Sequence, residues 1–354
     1  MHQINRVQWS PVVPIALLID GVRHTVHLKL EGATPGRSVK DRTAEALLDD
    51  LEQRGCLRPD SIVVESTSGN LGVALARLVR KRGLEFLAVV DPKTTPENLA
   101  RMRESGAAIH IVDIPDASGG YLMTRLERVQ ELCASSSRYV WTNQYANPAN
   151  PRAHYQTTGP EIYAQLAGRV DAVFVPVSTG GTLAGLSRYF REVSPTTSMV
   201  GVDACGSVVF GGSPGPRLLT GIGSSRPSSF LARESYDRSV LVGDAEAFGL
   251  CRALFAATGI KVGGSSGAVL AACARYCSTA PGIRRLVCLC ADSGQSYDAS
   301  IYDNTWLAEH GIDLSPTDLG PVEGIQLAVH EGVSAAVGRF QPSALHWRDT
   351  ANAA

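Results

Sequence analysis

The chain has 354 residues, 44% of them hydrophobic, with 33 basic against 34 acidic side chains and a formal net charge of −1. That length exceeds one small core and suggests two lobes. Charges of both signs are interspersed, there is no signal-like start, and no run reaches about 18 apolar residues, so a cytoplasmic protein with no nucleic-acid and no membrane partner is expected.

In chain order, the first informative element surrounds a lysine. Only five of the basic residues are lysines: Lys29, Lys40, Lys81, Lys93 and Lys261. Arginine stays protonated and is a poor nucleophile, whereas a lysine amine can lose its proton and attack an aldehyde. Lys40, in Gly36-Arg37-Ser38-Val39-Lys40-Asp41-Arg42, is therefore the residue on which imine chemistry would rest. A helix over 42–54 follows, with Ala46, Leu47, Leu48 and Leu51 toward one side and Gly55 past its end. The run Ile62-Val63-Val64 reads as a buried parallel strand, and a second helix, over 71–82, stops at Gly83.

Between that strand and that helix lies Glu65-Ser66-Thr67-Ser68-Gly69-Asn70. The first amides of a helix lack backbone partners and carry the positive end of its dipole, so an anion fits there. Glycine permits close approach, and hydroxyls add donors. Alone, such a loop serves equally as an ordinary helix cap.

Similar apolar runs alternate with helical stretches further on: Phe86-Leu87-Ala88-Val89-Val90, Ala108-Ile109-His110-Ile111-Val112, Ala172-Val173-Phe174-Val175-Pro176-Val177, Met199-Val200-Gly201-Val202 and Leu286-Val287-Cys288-Leu289. This is the pattern of an α/β fold. Turn residues cluster at Asn147-Pro148-Ala149-Asn150-Pro151, a candidate boundary. Ser178-Thr179-Gly180-Gly181-Thr182 repeats the anion-suited junction before a helix through Phe190, and Val262-Gly263-Gly264-Ser265-Ser266-Gly267-Ala268 precedes a helix over 269–276. The eight cysteines form no Cys-x-x-Cys pair and read as buried thiols, so no metal is expected. The tail from Leu314 carries no strand pattern and reads as an appendage. Two anion-suited loops and an imine-capable lysine at the start of a third helix call for a group with both a phosphate and an aldehyde, which is pyridoxal phosphate.

Residues 13–306 are similar to the β-family, fold-type II pyridoxal-phosphate enzymes, best known as cysteine synthases. Ser38-Val39-Lys40-Asp41-Arg42 matches the family's Schiff-base motif and Thr67-Ser68-Gly69-Asn70 its asparagine loop. Thr179-Gly180-Gly181-Thr182 matches the phosphate cradle, and Gly264-Ser265-Ser266-Gly267 the segment at the pyridine nitrogen. The resemblance implies a tryptophan synthase β-like α/β fold of two domains, with parallel-rich sheets flanked by helices. Residues 37–150 would form a smaller mobile domain with the substrate-carboxylate loop, residues 1–36 plus 151–312 a larger cofactor-binding domain, and 313–354 the appendage. It further implies Lys40 as the Schiff-base lysine, Asn70 on the cofactor's 3′-oxygen, Ser265 at the ring nitrogen, and Ser178, Thr179, Gly180, Gly181 and Thr182 on the phosphate. Ser66, Thr67, Ser68 and Gly69, with Gln144, would take the substrate α-carboxylate, in a homodimer.

The departures from a cysteine synthase point to specificity. Ala33-Thr34-Pro35-Gly36-Arg37 replaces the usual Asn-Pro-Thr/Ala-Gly, Tyr145 a phenylalanine and Ser178 a glycine, and Arg226 follows Gly221-Ile222-Gly223. Each adds a polar group that a sulfide-using enzyme does not need. Val89-Val90-Asp91-Pro92-Lys93, Pro115-Asp116-Ala117-Ser118-Gly119-Gly120-Tyr121-Leu122-Met123-Thr124-Arg125, Asn143-Gln144-Tyr145-Ala146-Asn147 and Gly221-Ile222-Gly223-Ser224-Ser225-Arg226 resemble a branch that joins O-phospho-L-serine to L-glutamate, toward 2,3-diaminopropionate for siderophores or antibiotics. The reaction so implied is a β-replacement in which Lys40 moves the Cα proton, with ping-pong kinetics. Because arginine suits oxyanions, Arg226 is expected on the leaving phosphate, and Arg125, with Tyr145 and Ser178, on the glutamate. A surface position is the competing reading for both arginines. A cysteine synthase or O-phosphoserine sulfhydrylase, and a catalytically idle binding subunit, stay open as alternatives.

Overall fold

The computed structural model describes residues 9–116, 119–279, 285–314 and 319–328. The chain begins with a hairpin of β1 (Val12–Ile19) and β2 (Val22–Leu30), paired antiparallel. Its two-residue turn is Asp20-Gly21, with φ of 50° and 73°. Two positive φ angles give the turn type whose twist matches the flanking strands. The apolar runs did not point to this hairpin, although Asp-Gly at its centre is a recognised signal for one.

Helix α1 (Lys40–Gln53) buries Ala44, Leu47, Leu48 and Leu51, and Gly55 follows it at φ 67°. Next come β3 (Ile62–Ser66), α2 (Asn70–Lys81), β4 (Glu85–Val90), α3 (Pro96–Glu104), β5 (Ala107–Ile111), α4 (Leu122–Ser135) and β6 (Tyr139–Trp141). They form a parallel sheet ordered β5-β4-β3-β6. Leu47, Leu48, Leu75, Phe86 and Met102 make a core on one face, and Val64, Val89 and Val129 on the other.

After α5 (Ala149–Gln156) and α6 (Thr158–Gln165), the chain builds its larger sheet. It contributes β7 (Ala172–Pro176), α7 (Gly181–Val193), β8 (Ser198–Ala204), β9 (Arg238–Val242), α8 (Asp244–Thr258), α9 (Gly264–Thr279), β10 (Leu286–Cys290), α10 (Asn304–Glu309) and β11 (Val322–Leu327). The strand order is β11-β1-β2-β10-β7-β8-β9, parallel from β2 to β9 and antiparallel at β1 and β11. Helix α9 is buried all round from Gly264 to Ala274, which explains its apolar character on every face. The fold is thus α/β with parallel-rich sheets, and the six apolar runs lie in β3, β4, β5, β7, β8 and β10.

The tail departs from its reading. Val322–Leu327 pairs with β1, from Ile15↔Leu327 to Ile19↔Val322, so part of the expected appendage is the outer strand of the larger sheet. Only Val322 of that strand is buried. A partly exposed edge strand lacks the continuous apolar run that reveals inner ones. Residues beyond 328 lie outside the described ones. Among the cysteines, Cys251, Cys273, Cys277, Cys288 and Cys290 are buried, Cys56 and Cys133 half-buried and Cys205 exposed. Among the described residues no His/Cys/Asp/Glu group could hold a metal, and no helix is long and apolar enough to cross a membrane.

Candidate active site

The carboxyl ends of β3, β7 and β10 open onto one cavity of about 860 Å³, the place where open α/β sheets bind ligands. Lys40, Ser66, Thr67, Ser68, Gly69, Asn70, Arg125, Gln144, Tyr145, Ser178, Thr179, Gly180, Thr182 and Ser265 all line it. Gly181 and Arg226 do not, although their neighbours Gly180 and Ser225 do.

Lys40 stands at the first turn of α1, and the chain before it is fastened to the end of β10. The Val39 amide donates to the Ala291 carbonyl (2.7 Å), the Ser293 amide to the Arg37 carbonyl (3.1 Å), and Ser38 bridges Asp292. Arg37 adopts φ 62°, and a Cβ on Gly36 would run into the Asp41 carboxylate, which accepts from the Gly36 amide at 2.6 Å. Burial pulls the Lys40 ammonium down to about 8, against the opposing pull of the Asp292 carboxylate. Lys29 is different: its Nζ is locked between Glu161 (2.7 Å), the Ser10 carbonyl (2.8 Å) and Gln165 (2.9 Å). Lys93 also reaches the cavity but is exposed, over the Tyr121 ring.

The loop from Ser66 to Asn70 leads into α2, whose N-terminus has no side-chain cap. Its free amides therefore remain available to an anion. Ser66 Oγ is buried without a hydrogen-bond partner, another donor held ready. Glu65, which the sequence reading passed over, fixes this loop to that of Gln144. Its buried carboxylate accepts from the Ser66 amide (2.9 Å), the Gln144 amide (3.0 Å), Trp141 Nε1 (3.2 Å) and the Thr142 hydroxyl. Burial raises its pKa, while those donors work in the opposite direction. Gln144 Nε2 donates to the Ser66 carbonyl (2.9 Å), closing the link.

At the second loop, Gly180 takes φ 89° as the N-cap of α7, again with no side-chain cap. A Cβ on Gly180 would collide with Ser228 and Leu231, and one on Gly181 with the Asn150 amide. Glycine is thus required twice in succession by the packing behind the loop. Asn150 Nδ2 donates to the Gln144 carbonyl (2.8 Å) and Thr179 Oγ1 (3.2 Å), joining this loop to the first. His154, also missed from sequence, lies behind Thr182: its Nε2 is 3.2 Å from both Thr182 Oγ1 and Thr43 Oγ1, and its Nδ1 is 3.0 Å from Thr158 Oγ1. Burial first, then the charges of Lys40 and Arg42, push its pKa well below the usual histidine range, so it is neutral. Thr158 begins α6, beyond the break that ends α5 at Gln156, so no helical spacing announced this pair.

Arg125 enters from α4. It is 7% exposed, pairs through Nη1 with Asp91 across 3.3 Å, and leaves Nε without a hydrogen bond. Tyr145 lies near it, with its phenol pKa raised by burial, and the Arg226 guanidinium sits 5.8 Å over the Tyr145 ring. Neither arginine is a freely exposed surface group. Asp292, at the end of β10, completes the cavity wall and was likewise unforeseen. It follows an apolar strand and precedes Ser293-Gly294, the strand-end signature used for the other loops.

An amine of lowered basicity, two uncapped helix N-termini with glycine-lined approaches, and buried unpartnered polar atoms fit a ligand bearing an aldehyde and a phosphate. The sequence profile of the family described as pyridoxal-phosphate dependent enzyme matches residues 5–292. An N-(2-amino-2-carboxyethyl)-L-glutamate synthase of Ralstonia nicotianae is 44% identical over 305 residues, 86% of this chain and 90% of that protein. One of the same name from Cupriavidus metallidurans is 40% identical over 335 residues, 94% and 98% of the two chains. Among solved structures, a hydrogen sulfide-producing enzyme from Fusobacterium nucleatum superposes with a TM-score of 0.76 at 30% identity, covering 82% of this chain and 95% of its own.

Proposed function

The chain belongs to the pyridoxal-phosphate dependent enzymes, and on that premise we propose that it joins O-phospho-L-serine to L-glutamate, giving N-(2-amino-2-carboxyethyl)-L-glutamate and phosphate for 2,3-diaminopropionate synthesis. The observation that carries this reading is the buried Arg125 guanidinium in the wall of the Lys40 cavity, whose Nε has no hydrogen bond and whose Nη1 meets only Asp91, at 3.3 Å. Unmet donors of a buried cation are costly unless an anion completes them. A second substrate with a side-chain carboxylate does so, and sulfide does not. The two synthases at 44% and 40% identity support the same reaction.

Pyridoxal phosphate, when bound, supplies an electron sink that acidifies the Cα proton of an amino acid and loosens its β-substituent. Lys40 would bind the cofactor aldehyde, with Asn70 at the 3′-oxygen and Ser265 at the ring nitrogen. Ser178, Thr179, Gly180, Gly181 and Thr182 would hold the cofactor phosphate at the N-terminus of α7. Ser66, Thr67, Ser68 and Gly69, with Gln144, orient the substrate α-carboxylate. Lys40 would take up the Cα proton of the substrate and later return it. The Cβ–O bond would break with loss of phosphate, and the glutamate amine would form the new Cβ–N bond, its surplus proton ending on the released phosphate. Arg226, which follows the cavity-lining Ser224 and Ser225, receives the leaving phosphate. Arg125, Tyr145 and Ser178 receive the glutamate. Residues 37–150 form the part that moves over the substrate, and residues 1–36 with 151–312 hold the cofactor, in a cytoplasmic homodimer.

The test is to supply O-phosphoserine with either glutamate or sulfide, and to follow phosphate release and product mass. Glutamate is expected to be consumed. Turnover with sulfide but not glutamate would replace this reading by a cysteine synthase, and no turnover at all by an idle subunit. Arg125→Ala is expected to raise the glutamate KM roughly ten- to hundredfold, the worth of a hydrogen bond to a charged group. Phosphate release in the first turnover should be unaffected.

A further inference from the structure

Asp292 belongs to none of the motifs above, yet it sits where three of them meet. It is 4% exposed and lines the cavity with Lys40, Asn70 and Ser265. Its Oδ2 accepts from Asn70 Nδ2 at 2.7 Å and from the Tyr297 hydroxyl at 2.6 Å. Oδ1 is buried with no hydrogen-bond partner, and a Cβ on Gly263 would collide with it, so the glycine leaves room for the carboxylate. On the other side of Asn70, Arg101 Nη1 donates to the Asn70 Oδ1 at 3.5 Å, and the same guanidinium is tied to Ser296 Oγ (2.9 Å) and the Gly36 carbonyl (3.3 Å).

The chemistry of those two neighbours fixes which way the Asn70 amide points. A carboxylate only accepts and a guanidinium only donates, so the amide must turn its nitrogen to Asp292 and its oxygen to Arg101. One N–H is spent on Asp292, and the second remains. We propose that Asp292 is a positioning residue of this enzyme: by accepting from Asn70 it forbids the flipped amide, so that Asn70 presents an N–H and never a carbonyl oxygen to the 3′-oxygen of the cofactor. This rests on the reading that Asn70 meets that oxygen. A flipped amide would set two acceptors against each other and leave one unmet. The same carboxylate acts on Lys40, favouring its ammonium form, so one group biases both neighbours of the reacting carbon.

The experiment is absorption spectroscopy of the cofactor-loaded protein. In Asp292→Asn the neighbour can donate as well as accept, and the Asn70 amide keeps only the longer Arg101 contact (3.5 Å) to hold its orientation. The visible band of the lysine-bound cofactor is expected to lose intensity to the near-ultraviolet band, with the ratio changing roughly tenfold, the effect of one lost hydrogen bond to a charged group. Asn70→Ala sets the reference. If Asn70→Ala shifts the bands and Asp292→Asn does not, Asp292 is structural and the proposal falls. If Asn70→Ala itself leaves them in place, the Asn70 reading falls with it. Should Asp292→Asn not fold, Asp292→Ser, whose hydroxyl can donate as well as accept, removes the pure acceptor from Asn70 instead. A shift in the same direction supports the clamp, and an unchanged spectrum overturns it.

Discussion

At the scale of single residues, burial lowers the basicity of Lys40 and the Asp292 carboxylate opposes it. A pKa lowered to about 8 means that the neutral amine, the form that attacks an aldehyde, grows as pH rises through that value. Capture of pyridoxal phosphate by cofactor-free protein should therefore accelerate with pH up to about 8 and then level off, as followed by stopped-flow absorbance. Asp292→Asn should move the midpoint down, because the carboxylate favours the ammonium. Arg226 is tested separately. Arg226→Ala should slow phosphate release from O-phosphoserine roughly tenfold or more, as expected for a lost charge-assisted contact, while the glutamate KM stays unchanged. An unaltered first turnover would take Arg226 off the leaving group and leave it as packing for Tyr145.

At the scale of elements, the site consists of loops between a strand and a helix, and what fixes each loop lies behind it. The glycines of the α7 loop are legible in sequence, but the reason for each is not: Ser228 and Leu231 stand behind Gly180, and Asn150 behind Gly181. Replacing Gly180 by alanine demands a left-handed conformation from a residue with a Cβ, at a cost of about 1–3 kcal/mol. The loop should shift and weaken cofactor binding by about tenfold or more, measured by equilibrium titration of the cofactor absorbance. A variant that binds as tightly as the parent would mean that the α7 amides do not hold the phosphate. Strands β1, β2 and β11 were harder to read than the parallel ones. Inner strands covered on both faces are continuous apolar runs, whereas a hairpin and an edge strand expose polar residues.

For the whole molecule, α1 is joined to the larger sheet by a buried ionic cluster two residues from Lys40. Arg42 meets Glu31 at 2.7 Å and Glu161 at 2.6 Å, and Glu161 also meets Lys29. Arg42→Ala leaves two buried carboxylates undercompensated and should cost about 3–5 kcal/mol, read from denaturant midpoints. A loss within experimental error would show that water replaces the guanidinium. The local motifs were legible in the chain alone: Lys40, the Ser66 to Asn70 loop and the Ser178 to Thr182 loop are each contiguous, so their junction character can be read without knowledge of the fold. What surrounds them is visible only once the chain is folded. Asn70 and Asp292 are 222 positions apart, and Gln144 and Ser66 are 78 apart. Gln144 reaches Ser66 because β6 pairs with β3, and Asp292 reaches Asn70 where the end of β10 in one sheet faces the end of β3 in the other; strand order is set by packing across the chain rather than by any local run of residues.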